Sequence, residues 1–183
     1  MFKKILTALI FIFLTAFLAT GYAAEKKARD FKLCDLDNNR VSLESLLGKG
    51  PVYIALWATW CKPCIKELEI VSRMYEEYKD RGFLLVGINE DSGRSYSKVK
   101  SFVKAKGWTF PILLDSDEKV KRDYRAFGLP YSVILDPEGN IIHTAYGFRP
   151  GDESKVIELI EPFLTKPEEQ EENSSDLHSL KKN

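Results

Sequence analysis

The chain has 183 residues, enough for one domain with appendages and short for two. Apolar residues at 44% and charged residues at 30% fit a globular protein and exclude a wholly disordered or collagen-like one. Lysine and arginine total 27 and so do aspartate and glutamate, which leaves no net basic field and no nucleic-acid partner to expect.

Lys3 and Lys4 precede an uncharged stretch from Ile5 to Ala24 that ends in Gly21, Tyr22, Ala23 and Ala24. A positive start, a short apolar heart and small residues at the end describe a secretory signal peptide over residues 1–24, cleaved after Ala23 or, less favourably, Ala24. The competing reading is an uncleaved membrane anchor, because the uncharged run approaches a bilayer-spanning length. Either way the remainder works outside the cytoplasm, in the periplasm or an equivalent compartment, where cysteines can cycle between thiol and disulfide. Residues 166–183, rich in Glu, Ser, Lys and Asn, lack the apolar side chains to offset ordering entropy and read as a flexible acidic tail. The folded domain is expected over residues 25–165.

Within it, Phe31–Leu33 and Arg40–Val41 flank the turn-rich Asp37-Asn38-Asn39 and predict a short hairpin, followed by a single helical turn capped by Ser42. Val52–Trp57 is an apolar run without alternation, as in a strand buried on both faces. Cys64 to Lys79 has helical spacing, with Ile65, Leu68, Val71 or Ser72, and Tyr75 inward, and Gly82 ends it. Phe83–Ile88 is a second buried strand, so strand, helix and strand imply a parallel pair. A helix over Tyr96–Ala105, a strand over Phe110–Leu114 and a helix over Glu118–Phe127 follow. Ser132–Leu135 and Ile141–Ala145 form a hairpin around Asp136–Asn140, and Asp152 caps a last helix that Pro162 frays. The sum is an α/β fold with helices on both faces of a mixed sheet.

Cys61-Lys62-Pro63-Cys64 carries the chemistry. Two cysteines at this spacing can close a small disulfide ring. A helix start favours the Cys61 thiolate through its free N–H groups and dipole, and Lys62 acts in the same direction. Pro63 suits the first turn. Cys61 thus attacks a substrate disulfide and Cys64, further into the helix, resolves the mixed disulfide. Cys64 must lose a proton to do so. Glu67, one turn on and on the same helical face, is the candidate base, its pKa raised by partial burial against the Val52–Trp57 strand. Spacing alone does not separate it from solvated neighbours such as Glu69, Glu76 or Glu77.

The segment Trp57-Ala58-Thr59-Trp60-Cys61-Lys62-Pro63-Cys64 resembles the active-site region of the exported TlpA/ResA-like thiol–disulfide oxidoreductases of the thioredoxin superfamily. The likeness extends over residues 28–165, through the Phe31–Leu43 hairpin, Glu67, the extra helix and strand around 96–114, and Gly128-Leu129-Pro130 with Leu135-Asp136-Pro137-Glu138-Gly139. It implies a thioredoxin-like sheet of four to five strands with an N-terminal hairpin and a helix–strand insertion. It implies a cis peptide at Pro130 facing the cysteines and substrate pairing at Leu129. Read from the residues themselves, Trp60 and Trp57 frame the site as apolar walls on the substrate-binding rim, and core packing explains Trp57 equally well. No cofactor and no metal are implied. The partners are a disulfide-containing extracytoplasmic protein substrate and a membrane or periplasmic dithiol electron donor; the family typically serves cytochrome c maturation or other exported partners. A monomer is expected. Two positions depart from the pattern: Ala55 stands where the thioredoxin branch has a buried Asp, which raises the value of Glu67, and Tyr131 follows Pro130 where Thr is more usual.

Two other chemistries compete for the same residues. A copper- or zinc-binding module would recruit the CxxC thiolates with His143. A thiol peroxidase would want Thr and Pro where Ala58 and Ile54 stand, and is rejected. Cys34 reads as a half-buried free thiol, with an intermolecular disulfide as the alternative.

Overall fold

The computed structural model describes residues 26–166. The expected signal peptide or anchor and all but the first residue of the expected acidic tail lie outside the described residues. Among those described, no helix is long and apolar enough to cross a membrane.

The backbone forms β1 (Lys32–Asp35), β2 (Arg40–Ser42), β3 (Val52–Trp57), α1 (Lys62–Tyr78), β4 (Leu84–Asn89), α2 (Tyr96–Lys106), β5 (Ile112–Leu114), α3 (Lys119–Asp123), β6 (Tyr131–Leu135), β7 (Ile141–Tyr146) and α4 (Asp152–Ile160). One sheet of seven strands runs β2-β1-β5-β4-β3-β6-β7. This exceeds the four to five strands expected, because β1 does not stand apart: it joins the β5 edge antiparallel, Cys34 opposite Leu114, and carries β2 with it. Docking the hairpin there satisfies an edge that would otherwise expose unpaired backbone groups.

The centre matches the apolar runs. β3 lies parallel to β4, Val52 opposite Leu84, and antiparallel to β6, Leu56 opposite Tyr131. Every residue of β3 is buried. Successive side chains point to opposite faces, which splits the core in two. Tyr53, Ala55 and Trp57 pack with α1, α2 and α4 side chains such as Cys64, Leu68, Val103 and Ile160. Ile54 and Leu56 pack on the other face with Phe31, Leu43, Val120 and Ala126.

Three local expectations shift. The buried line of α1 is Cys64, Glu67, Leu68, Val71 and Met74, so Ile65 and Tyr75 turn toward its flank. Cys64 and Leu68 on that line belong to the core cluster, with Tyr75 packed against its edge. The helix expected over Glu118–Phe127 shrinks to five residues, α3. Its start is held by the buried Asp115, whose carboxylate accepts the N–H groups of Lys119, Val120 and Lys121, and Arg125 adopts a left-handed φ of 54° that ends it. Asp152 does not cap α4; it is the first helical residue, accepts from the Arg149 N–H, and sits where an acidic side chain favours the helix dipole.

Candidate active site

The carboxyl ends of β3 and β4 position the site. After Trp57 the chain turns through Ala58–Trp60 and enters α1 with Cys61 as its N-cap residue. The Cys61 Sγ accepts the backbone N–H of Cys64 at 3.3 Å, and the Cys61 N–H donates to Ala58 O at 3.0 Å. Lys62 and Pro63 fill the first helical positions, where proline's missing donor has no helical acceptor to lose. The pair is joined as a Cys61–Cys64 disulfide with Cα atoms 5.3 Å apart. Cys61 retains 5% of its surface and Cys64 none, so the first sulfur borders solvent and the second faces the core.

The turn ahead of Cys61 is clamped from β4. The buried Asp91 accepts from the Thr59 N–H and from the Thr59 hydroxyl, both at 2.7 Å, and from the Asn89 side-chain amide at 2.9 Å. The Glu90 N–H donates to Trp57 O at 2.8 Å. Both Glu90 carboxyl oxygens are buried without a hydrogen-bond partner, and burial together with the nearby Asp115 pushes the group up to about 8.

Glu67 is buried, with 1% of its surface exposed. Its Oε1 accepts the Tyr53 hydroxyl at 2.7 Å. Burial pushes its carboxyl up to about 7, and hydrogen bonds from Tyr53 and Ser132 hold it from rising further. Burial and the facing Glu67 raise the Tyr53 phenol well above its usual range, so it stays a donor. Ser132 lies directly across the sheet from Ala55, so a hydroxyl on the partner strand borders the position where the thioredoxin branch has an Asp. A cavity of about 390 Å³ opens against Tyr53, Pro63 and Ser132, with His143, Arg149 and Lys155 also in its wall.

The Leu129–Pro130 peptide is cis. Pro130 is one residue beyond the Leu56–Tyr131 pair, and this register sets it alongside Trp57 at the end of β3 that leads to Cys61. Trp60 is 66% exposed next to Cys61. Trp57 is no wall of the site: it is fully buried, 5.3 Å in ring centroids from Trp108, and Gly87 makes room for it, since a Cβ there would lie 3.0 Å from the indole nitrogen. His143 sits on β7 opposite Ile134 and does not join the cysteines; among the described residues no three His, Cys, Asp or Glu side chains gather to hold a metal. Cys34 is a free, half-buried thiol on β1.

Tyr53, Ser132, Thr59 and Asp91 were missed by sequence reasoning. The signal for Tyr53 was present: it shares the alternation of Ala55 and Trp57 and so had to face α1. Asp91 gave none, because its partner Thr59 is 32 residues away in a turn.

A disulfide at a helix N-terminus, beside a cis-proline strand start on a sheet flanked by helices, defines the thioredoxin-like thiol–disulfide oxidoreductases. Residues 24–144 match the AhpC/TSA family, and the chain belongs to it. Among its relatives is the thiol-disulfide oxidoreductase ResA of Bacillus thuringiensis (strain Al Hakam), 33% identical over 141 residues, covering 77% of this chain and 76% of that one. ResA of Bacillus subtilis (strain 168) is 36% identical over 120 residues, 66% of this chain and 65% of its own. Among solved structures, a thiol:disulfide interchange protein of the thioredoxin family from Chlorobium tepidum superposes with a TM-score of 0.65 at 26% identity, covering 76% of this chain and 99% of the other. The thioredoxin domain of a thiol-disulfide oxidoreductase from Bacteroides vulgatus gives 0.63 at 27%, covering 75% and 97%.

Proposed function

We propose that the chain reduces disulfides of extracytoplasmic proteins through a Cys61/Cys64 dithiol–disulfide cycle. The observation that carries this is the Cys61 sulfur at the cap of α1, accepting a helix N–H and bonded to a Cys64 sealed in the core. In the reduced protein, Cys61 thiolate attacks one sulfur of a substrate disulfide; that S–S bond breaks, the far substrate sulfur leaves as thiolate, and a Cys61–substrate disulfide forms. Cys64 thiolate then attacks the Cys61 sulfur. The mixed disulfide breaks, the second substrate thiolate leaves, and the Cys61–Cys64 bond closes. Two electrons pass to the substrate, and a membrane or periplasmic dithiol donor returns them.

Glu67 takes the Cys64 proton before that second attack. A carboxyl near 7 is matched to this task, since it both accepts and gives up a proton near neutrality. The Tyr53 and Ser132 hydroxyls, which line the cavity wall, offer the proton a way to solvent. Trp60, Leu129 and Pro130 form the rim, with the backbone at Leu129 pairing to the substrate chain. The N-terminal segment supports export or anchoring outside the cytoplasm, and precursors of exported cytochrome c are a substrate class that the family resemblance favours.

Insulin reduction by the purified chain tests the activity. Cys61→Ser should abolish turnover, and retained turnover refutes the assignment. Titration against glutathione tests the direction: about 30 mV in potential is a tenfold change in equilibrium, and a potential close to the periplasmic oxidants refutes the reductase reading.

A further inference from the structure

We propose that Phe127 is a docking residue that takes an apolar side chain next to the disulfide of a protein substrate, an inference that rests on thiol–disulfide exchange at Cys61. Phe127 is 90% exposed, against 66% for Trp60, 56% for Tyr146 and 37% for Tyr96, the other exposed large hydrophobic residues described. A single exposed apolar side chain is ordinary. Phe127 is distinguished by where it stands and by how its backbone is held.

Its place follows from the sheet. Phe127 precedes Pro130 by three residues, so their Cα atoms are within about 10 Å even if the chain is fully extended. Pro130 borders the end of β3 that leads to Cys61, and its carbonyl accepts the Gly147 N–H at 3.0 Å. Tyr146, the residue before Gly147, pairs with Tyr131 across the sheet. Trp60, Phe127 and Tyr146, three of the four exposed large hydrophobics among the described residues, therefore belong to segments that reach the Cys61 end of β3: the turn into α1, the loop into Pro130 and the end of β7.

The loop is also fastened. The Tyr146 hydroxyl accepts the Phe127 N–H at 3.1 Å and donates to Arg125 O at 3.0 Å. One phenol thus ties both sides of the Arg125–Phe127 bend, and its ring lies 4.7 Å from that of Tyr131. A pre-ordered backbone loses little freedom on docking, and an aromatic side chain presented on it suits an interface anchor. The loop also continues the rim. Cys61 shows only 5% of its surface, so a substrate disulfide that reaches it brings its flanking residues onto the chain around it, where Trp60 is next in sequence and the 127–129 loop leads into Pro130.

The test compares two substrates of the reduced chain, insulin and hydroxyethyl disulfide, which is too small to reach the loop. Phe127→Ala should lower kcat/KM for insulin about tenfold, the loss typical of one aromatic anchor, and leave hydroxyethyl disulfide reduction unchanged. Tyr146→Phe keeps the ring and removes both hydrogen bonds, and should give a smaller loss on insulin alone. An unchanged rate on both substrates, or an equal loss on both, overturns the assignment. Binding of S-carboxymethylated insulin B chain to the oxidised protein, where no exchange occurs, separates docking from redox function. Phe127→Ala should weaken that binding, and equal binding overturns the proposal even if the unaltered chain proves inactive on insulin.

Discussion

Replacing Glu67 by Gln in the oxidised protein isolates one buried carboxyl, because the disulfide removes Cys61 and Cys64 from titration. In the folded chain burial raises Glu67 from 4.5 to about 7, whereas in the unfolded chain it titrates as an ordinary glutamate. The folded state therefore holds its proton more tightly. The resulting stability is fully present below pH 4.5 and is lost as pH rises through about 7. At about 1.4 kcal/mol for each tenfold difference in proton affinity, the effect comes to about 3 kcal/mol. Solvent does not screen the carboxyl, since 1% of the residue is exposed. The substitution keeps an oxygen that can accept from Tyr53 but removes the titration. Urea denaturation of both proteins from pH 4.5 to 8 should show the wild type losing about 3 kcal/mol relative to Glu67→Gln, with Glu90 cancelling in the difference. A gap between the two proteins that stays constant over this range would refute the reasoning, because Glu67 would then ionise as though it were in water.

Two further outcomes follow from the clamp beside the cysteines. Asp91→Ala strands the Thr59 N–H, the Thr59 hydroxyl and the Asn89 amide in a buried turn, and should cost on the order of 2–4 kcal/mol by urea denaturation; a loss under about 0.5 kcal/mol would mean that water replaces the carboxylate without penalty. Glu90, raised to about 8 by burial and by Asp115, also destabilises the fold as pH rises, so Glu90→Gln should flatten the fall in stability between pH 6 and 9, and an unaltered slope there would contradict its burial as a neutral acid.

The amino-acid sequence by itself determined the parts that depend on neighbours along the chain. The apolar runs at Val52–Trp57 and Phe83–Ile88 had to be central strands, since an unalternating run is stable only when both faces are covered. The Asp136–Asn140 turn was equally legible: Asp136 accepts from both the Asn140 backbone and its side chain at 2.7 Å, and Gly139 takes a φ of 82°. Cys61 and Cys64 stood out because a pair at this spacing on a helix start has few other uses. Glu67 did not, since helical spacing gives a solvated glutamate and a buried one the same signature. Only the tertiary structure decided between them, by laying Tyr53 and Ser132 from two different strands against α1 and withdrawing the carboxyl from water. The same holds for the hairpin on the β5 edge, the Asp91 clamp and the Phe127 loop held by Tyr146. Each joins residues distant along the chain, and the free energy of such contacts lies in burial and hydrogen bonding between segments, which local propensity does not encode.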